Sequence, residues 1–205
     1  MALRSPPCVL VAGAGDVGGR LAALRRQRGD EVLALRRRDV PAGAGLRHLR
    51  VDLASGEGFP QLPRRVDAMV FCAAPDERSE PAYRRLFVDG LQRLLDAVDA
   101  PRVLFVSSTA VYGEDAGEWV GEATPPRPAA FNGRVLLEAE RHLAAFEGGS
   151  VLRLSGIYGP GRDAMLRRAR VAAAPEARWS NRIHVDDAAA ALENWAQDVR
   201  GRAFV

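Results

Sequence analysis

The stretch CVLVAGAGDVGGRL, residues 8–21, decides the fold. Its first half is a short apolar run closed by glycine, which reads as a buried strand. Its second half starts an apolar series at helical spacing, Val17, Leu21 and then Leu24. Between them Gly13, Gly15 and Gly18 stand as G-x-G-x-x-G. Directly after a strand and at the opening of a helix, that pattern marks a dinucleotide phosphate site. Gly13 permits the tight turn, Gly15 lets a pyrophosphate approach the backbone, and Gly18 lets helix and strand pack closely. Asp16 and Val17 begin the helix, whose free N–H groups and partial positive charge receive the phosphates. A glycine turn that holds no ligand is the alternative.

Outward from this unit, strands and helices alternate. Apolar runs predict further strands at EVLALR (31–36), LRHLRVDL (46–53), VDAMVFCAA (66–74), RVLFVSS (102–108) and SVLRLSG (150–156). Helical patterns cover 79–98, 133–146 and 184–197. The first of these is opened by Ser79 with Pro81 in its first turn. Strict alternation implies an α/β fold: a Rossmann-type doubly wound parallel sheet with helices on both faces. We expect a single domain over residues 1–205, with residues 155–205 contributing a reduced substrate-side region. The least regular segment, 114–133, follows the fifth strand, where ligands of open α/β sheets are met.

With 205 residues the chain can bury one sizeable core. Hydrophobic residues make up 47% and charged residues 27%, an ordinary globular balance. The net charge is +3, and every basic residue is arginine, for the sequence contains no lysine. Arg25, Arg26 and Arg28 read as a solvated helix face, and Arg36, Arg37 and Arg38 as a basic loop. Acidic residues nearly balance them and no aromatics interleave, so no nucleic-acid partner is expected. No apolar run reaches the roughly 18 residues of a membrane helix, and the N-terminal apolar run is too short for a secretory signal. A cytoplasmic protein without a membrane partner is the expectation. Cys8 and Cys72 read as small buried side chains, and the three histidines show no metal-ligand spacing.

The end of the second strand bears on the cofactor. An NAD-preferring fold usually places an acid there to hold the ribose hydroxyls. This chain has Leu35-Arg36-Arg37-Arg38. Guanidinium forks suit a 2′-phosphate, so NADP is expected first and NAD second. Solvent-facing Arg37 and Arg38 are the alternative.

Several ordered pieces carry a resemblance: VAGAGDVGGRL, VDL (51–53), FCAAP (71–75), FVSSTAVYG (105–113), RLSGIYGPGR (153–162) and RIHVDDAA (182–189). Together they make the chain similar to the extended and atypical short-chain dehydrogenase/reductases, in particular the NAD-dependent epimerase/dehydratase group. The resemblance implies that Asp52 and Leu53 border the adenine. It places Ala73, Ala74 and Pro75 under the adenosine ribose and pyrophosphate. It puts Ser108 at the catalytic Ser/Thr position with Thr109 beside it, SGIYGP at the nicotinamide, and His184–Asp187 in a helix-capping role. It also implies a small-molecule substrate, a nucleotide sugar or similar hydroxylated metabolite, and allows a homodimer through helices 79–98 and 131–147.

The chain departs from that family at one place. The Tyr-x-x-x-Lys pair falls on NGRVL, so Asn132 takes the tyrosine position and Leu136 the lysine position. The tyrosine is the family's acid/base, its phenol pKa of about 10 lowered by the nearby lysine. Tyr112 and Tyr158 are the candidate substitutes, with Arg134 supplying positive charge. The expected function is an NAD(P)-dependent epimerase/dehydratase-like oxidoreductase. A dinucleotide-binding sensor or partner protein without turnover is the alternative.

Overall fold

Val9, Leu10, Val11 and Ala12 are all buried because strand β1 (Cys8–Ala12) runs through the middle of a parallel sheet. In the computed structural model, which describes residues 6–38, 46–162, 167, 170 and 179–197, the sheet has six strands. They are β1, β2 (Glu31–Arg36), β3 (Arg47–Arg50), β4 (Ala68–Phe71), β5 (Val103–Ser108) and β6 (Gly149–Leu154). Their order is β3-β2-β1-β4-β5-β6 and every neighbouring pair is parallel. This is the doubly wound Rossmann order, and the chain reverses direction across the sheet between β1 and β4. The fold expected from the alternation is the one present.

Strand alternation sends side chains to two apolar layers. Leu10, Leu33, Met69, Phe71 and Phe105 face one layer, and Val9, Val11, Val32, Val70 and Leu104 face the other. The first layer is covered by the helical stretch after β4 and by α4 (Phe131–Ala144), counting helices along the chain. Its rings interlock: Phe71 lies 5.7 Å from Phe105, and Phe87 lies 6.0 Å from Phe105. The second layer is covered by α1 (Asp16–Gln27) and α5 (Val185–Gln197).

The helical stretch after β4 comprises α2 (Glu80–Tyr83), a more widely wound stretch at Arg84–Gly90, and α3 (Leu91–Ala97). Ser79 caps it as expected, its hydroxyl accepting from the Ala82 N–H at 3.4 Å. Strand β3 is shorter than its sequence pattern. It stops at Arg50, because the Asp52 carboxylate accepts from the N–H groups of Ala54 (2.8 Å) and Ser55 (3.3 Å) and turns the chain. Val51–Leu53 therefore form a loop wall.

The C-terminal part does two jobs. Gly156–Tyr158 (β7) and Arg182–His184 (β8) form a separate two-stranded parallel sheet. Helix α5 belongs to the main body, where Val185, Ala188, Leu192 and Trp195 are buried in the second layer. The segment RGRAFV, which reads as the entry to another strand, lies outside the described residues.

The first arginine cluster is only in part a solvated helix face: Arg26 and Arg28 are exposed, but Arg25 is not. Arg25 is buried and pairs with Asp30 and, at 3.5 Å, with Glu193 of α5, which Arg28 also meets at 2.6 Å. Arg25 and Arg28 join the end of α1 to α5. Removing one partner of a buried ion pair leaves an uncompensated charge, at a cost of about 3–5 kcal/mol. Arg25→Met should therefore lose about 3 kcal/mol in urea unfolding, the low end because Arg28 still reaches Glu193. A loss under about 1 kcal/mol would mean that the cluster contributes little.

Candidate functional site

The three glycines occupy three different environments. Gly13 has φ +95°, and a Cβ there would lie 2.4 Å from both N and Cα of Ala73. A Cβ on Gly18 would lie 2.4 Å from the Gly13 oxygen and 2.6 Å from the Cys72 sulfur. A Cβ on Gly15 would meet no atom within 4 Å. Two positions are thus closed by backbone and one opens into space. Gly13 and Ala14 are also held from the other side, their N–H groups donating to the Leu35 oxygen at 3.3 and 3.0 Å. The Cys72 thiol donates to the Gly13 oxygen at 3.4 Å, and burial pushes its pKa up to about 12. It therefore acts in packing, not as a thiolate.

The open space is a cleft of about 1010 Å³ at the carboxyl ends of the strands. Gly13, Gly15, Asp16 and Val17 line one wall, Arg36, Arg37, Asp52 and Leu53 another, and Ala73, Ala74 and Pro75 a third. The structure thus brings together every residue that the sequence assigns to cofactor binding, except Gly18, which lies beneath. No side chain caps α1, so its first-turn N–H groups have no side-chain acceptor at the cleft wall. Asp16 adds a carboxylate there. Partial burial opposes its ionisation, yet hydrogen bonds from Arg162 (2.7 Å) and Arg20 (3.1 Å) hold its pKa below the usual value.

The arginines at the end of β2 have partners that the sequence does not reveal. Arg36 Nε donates to the Ala14 oxygen, and Arg37 forms a two-pronged pair with Asp76 across the cleft. The Arg37 hydrogen bonds hold the Asp76 carboxyl below the usual carboxylate range. Behind the Asp52–Leu53 wall, Arg93 donates to the Leu53 oxygen at 2.7 Å and the Ala54 oxygen at 3.2 Å.

At the other end Val106 of β5 and Leu154 of β6 line the cleft. Ser108 follows Val106 by two residues and so lies on the same face of β5. Its hydroxyl accepts from the Ala110 N–H at 3.2 Å, capping the short turn Thr109–Val111. Helix α4 presses on this turn: a Cβ on Gly133 would lie 2.0 Å from the Ala110 oxygen. Asn132, at the start of α4, has a buried Oδ1 with no hydrogen-bond partner among the described residues, and Leu136 is buried apolar.

Neither candidate tyrosine is placed among the cleft-lining side chains. Tyr112 is buried, and its hydroxyl donates to the Gly121 oxygen at 3.0 Å while accepting from Arg153 at 2.8 Å. Tyr158 is 45% exposed, and its ring stands edge-on to His184 at 5.2 Å. Its neighbour Ile157 lines the cleft. Arg134 donates to the Ala129 oxygen at 2.8 Å. His184 accepts from the Asp186 N–H at 3.3 Å, in keeping with a helix-capping role. Among the described residues no group of three or more His, Cys, Asp or Glu could hold a metal ion. No helix among them is long and apolar enough to cross a membrane.

Comparison with known proteins agrees with this geometry. The model of the NAD dependent epimerase/dehydratase family matches residues 9–203. Protein YeeZ of Escherichia coli (strain K12) is 37% identical over 140 residues, which are 66% of this chain and 50% of YeeZ. The chain thus spans about half the length of the curated relatives it matches. A structure from Methylobacillus flagellatus, described as a candidate NAD-dependent epimerase/dehydratase, is 38% identical with a TM-score of 0.82. That match covers 97% of this chain and 74% of the other. MoeE5, solved with UDP-glucose and NAD, is 33% identical with a TM-score of 0.79, covering 95% and 74%.

The glycine environments make separable predictions. Gly13→Ala forces a side chain into the left-handed region and onto Ala73, so it should lose more than about 2 kcal/mol of stability. Gly15→Ala should stay within about 1 kcal/mol of wild type, since its Cβ meets nothing. Equal losses in chemical denaturation would contradict the placement of the loop.

Proposed function

Because this chain belongs to the NAD-dependent epimerase/dehydratase family, we propose that it binds NAD in the cleft and acts on a nucleotide sugar. The observation that carries the cofactor reading is the Gly15 position. It opens into the cleft beside an uncapped helix N-terminus, while Gly13 and Gly18 are closed by protein. A pyrophosphate fits that combination of bare backbone, N–H donors and helix dipole. Leu53 and Arg93 behind it shape the adenine side, and Ala73–Pro75 leave room for the ribose. When bound, the nicotinamide would supply hydride uptake and return.

NAD is favoured here over NADP. Arg36 and Arg37, the two forks read as 2′-phosphate ligands, already hold the Ala14 oxygen and Asp76. Titration should find NADH bound at least as tightly as NADPH. Asp76→Asn removes the charge that holds Arg37 and should shift the affinity ratio toward NADPH by roughly tenfold, the scale of one charge-assisted contact. A wild-type chain that prefers NADPH tenfold would reverse the cofactor assignment. Absence of binding to either dinucleotide would remove the function.

For the chemistry, Ser108 is assigned to polarise the reacting oxygen, with Thr109 shaping the turn beside it. Asn132 supplies a carboxamide where the family has a phenol, and an amide neither gives nor takes a proton near neutral pH. Tyr112 is an unsuitable carrier, since its hydroxyl is bonded on both sides. The proton role is assigned to Tyr158, the more exposed of the two, next to the cleft wall. MoeE5, a relative solved with UDP-glucose and NAD, supports the nucleotide-sugar class. In turnover assays with UDP-sugars, Tyr158→Phe should lower the rate by roughly 10²–10⁴ with NADH affinity unchanged. An active Tyr158→Phe protein would move the base elsewhere, and no turnover of any sugar by an NADH-binding wild type would favour a binding protein.

A further inference from the structure

A chain of polar contacts runs on the face of the sheet opposite Val106 and Leu154. The register sets Ser107 of β5 beside Arg153 of β6, and both reach Glu140 of α4. Ser107 donates to Glu140 Oε1 at 2.5 Å. Arg153 donates to both Glu140 oxygens, the shortest contact being Nη2 to Oε2 at 2.6 Å. Ser107 and Glu140 are only 4% and 6% exposed. Arg153 then donates through Nη1 to the Tyr112 hydroxyl, and its guanidinium lies over the Tyr112 ring at 5.1 Å. The hydroxyl passes the chain on to the Gly121 oxygen.

That last contact matters because of what Gly121 belongs to. Residues 113–130 contain no helix or strand, so backbone ladders do not hold them. Gly121 sits in a turn closed by the Thr124 N–H to its oxygen and by its own N–H to Thr124 Oγ1, both 3.0 Å. The segment leaves the carboxyl end of β5 just after Ser108. Midway, Gly117 rests on the indole of Trp179, a Cβ there lying 2.5 Å from Nε1, and Trp179 leads into β8. The segment therefore links the end of β5 to the β7–β8 side of the cleft.

We propose that Arg153, fixed by Glu140, is a positioning residue that sets segment 113–121 over the substrate side, acting through Tyr112. A buried ion pair is weak evidence of stabilisation, since apolar side chains of the same volume often serve as well. Apolar side chains would not aim a donor at Tyr112 Oη. The same carboxylate also holds Ser107, the neighbour of Ser108, and α4, which carries Asn132. One buried charge thus sets the relative position of β5, α4 and the loop. The role assigned to the loop rests on the reading that a nucleotide sugar binds beside it.

Amide hydrogen exchange on the full chain tests this, with UDP-glucose and NADH as probes. Tyr112→Phe leaves the Glu140–Arg153 pair intact and removes only the link to Gly121. Exchange within 113–124 should rise by roughly 2–10-fold, the equivalent of one hydrogen bond, while amides of β1 and β4 keep their rates. Arg153→Met should loosen the same residues, and adding Tyr112→Phe to it should loosen them no further. In Tyr112→Phe the UDP-glucose Kd should rise by a similar factor with the NADH Kd unchanged. Unchanged exchange at 113–124, a uniform rise over the whole molecule, or additive effects in the double variant would overturn the proposal. So would a loosened loop with unaltered UDP-glucose affinity. A wild type that binds neither probe refutes the functional reading instead, and the exchange comparison still decides whether Arg153 positions the loop.

Discussion

The site depends on one close approach of backbone to backbone. The turn after β1 passes so near the segment after β4 that neither Gly13 nor Gly18 has room for a single carbon. This contact pins the start of α1 against Ala73 and Cys72, at the point where the sheet order reverses. With the helix held there, its first-turn N–H groups and dipole lie along the cleft wall, and Gly15 is left as the open face. Burial of Cys72 keeps its thiol neutral beside the turn.

Two kinds of fixed charge brace the elements around the cleft. At the carboxyl end of β2 and the loop after β3, Arg36, Arg37 and Arg93 hold backbone oxygens or Asp76, so the positive charge acts in building the wall. On the opposite face of the sheet Glu140 ties α4 to Ser107 and Arg153. Asn132 and Leu136 take the two positions where the resemblance expects a tyrosine and a lysine, and neither side chain exchanges a proton near neutral pH. Arginine suits these structural roles because its fork stays charged at all working pH values and fixes two directions at once. A chain without lysine uses that property throughout.

What could be read from the amino acids was what backbone sterics and local periodicity decide. Gly13 and Gly18 stand at their spacing because the turn and the helix–strand packing forbid a Cβ, while Gly15 between them opens into space. The central strands β1, β2, β4 and β5 were legible because they are short, mostly buried apolar runs, whereas β3 is half-exposed and shorter than its pattern. Pairings over long separations were not legible. Arg37 meets Asp76 39 residues away, and Arg25 meets Glu193 168 residues away. The resemblance to the short-chain enzymes made Tyr112 a candidate base, but only tertiary structure shows its hydroxyl bonded on both sides. Signals for the buried network did exist. Glu140 lies on the apolar stripe of α4 with Leu136 and Leu143, and Arg153 interrupts a buried strand between Leu152 and Leu154. A charge on a buried face needs a partner, and these two were the partners of each other.

The most direct test of the glycine-lined cleft as a dinucleotide site is an amide chemical-shift titration of the wild-type chain with NAD. The largest shifts should fall on Gly15, Asp16 and Val17 at the start of α1, with smaller ones at Leu53 and Ala73, and the shifts should saturate together. Shifts centred on another part of the molecule, or no shifts at millimolar NAD, would contradict it.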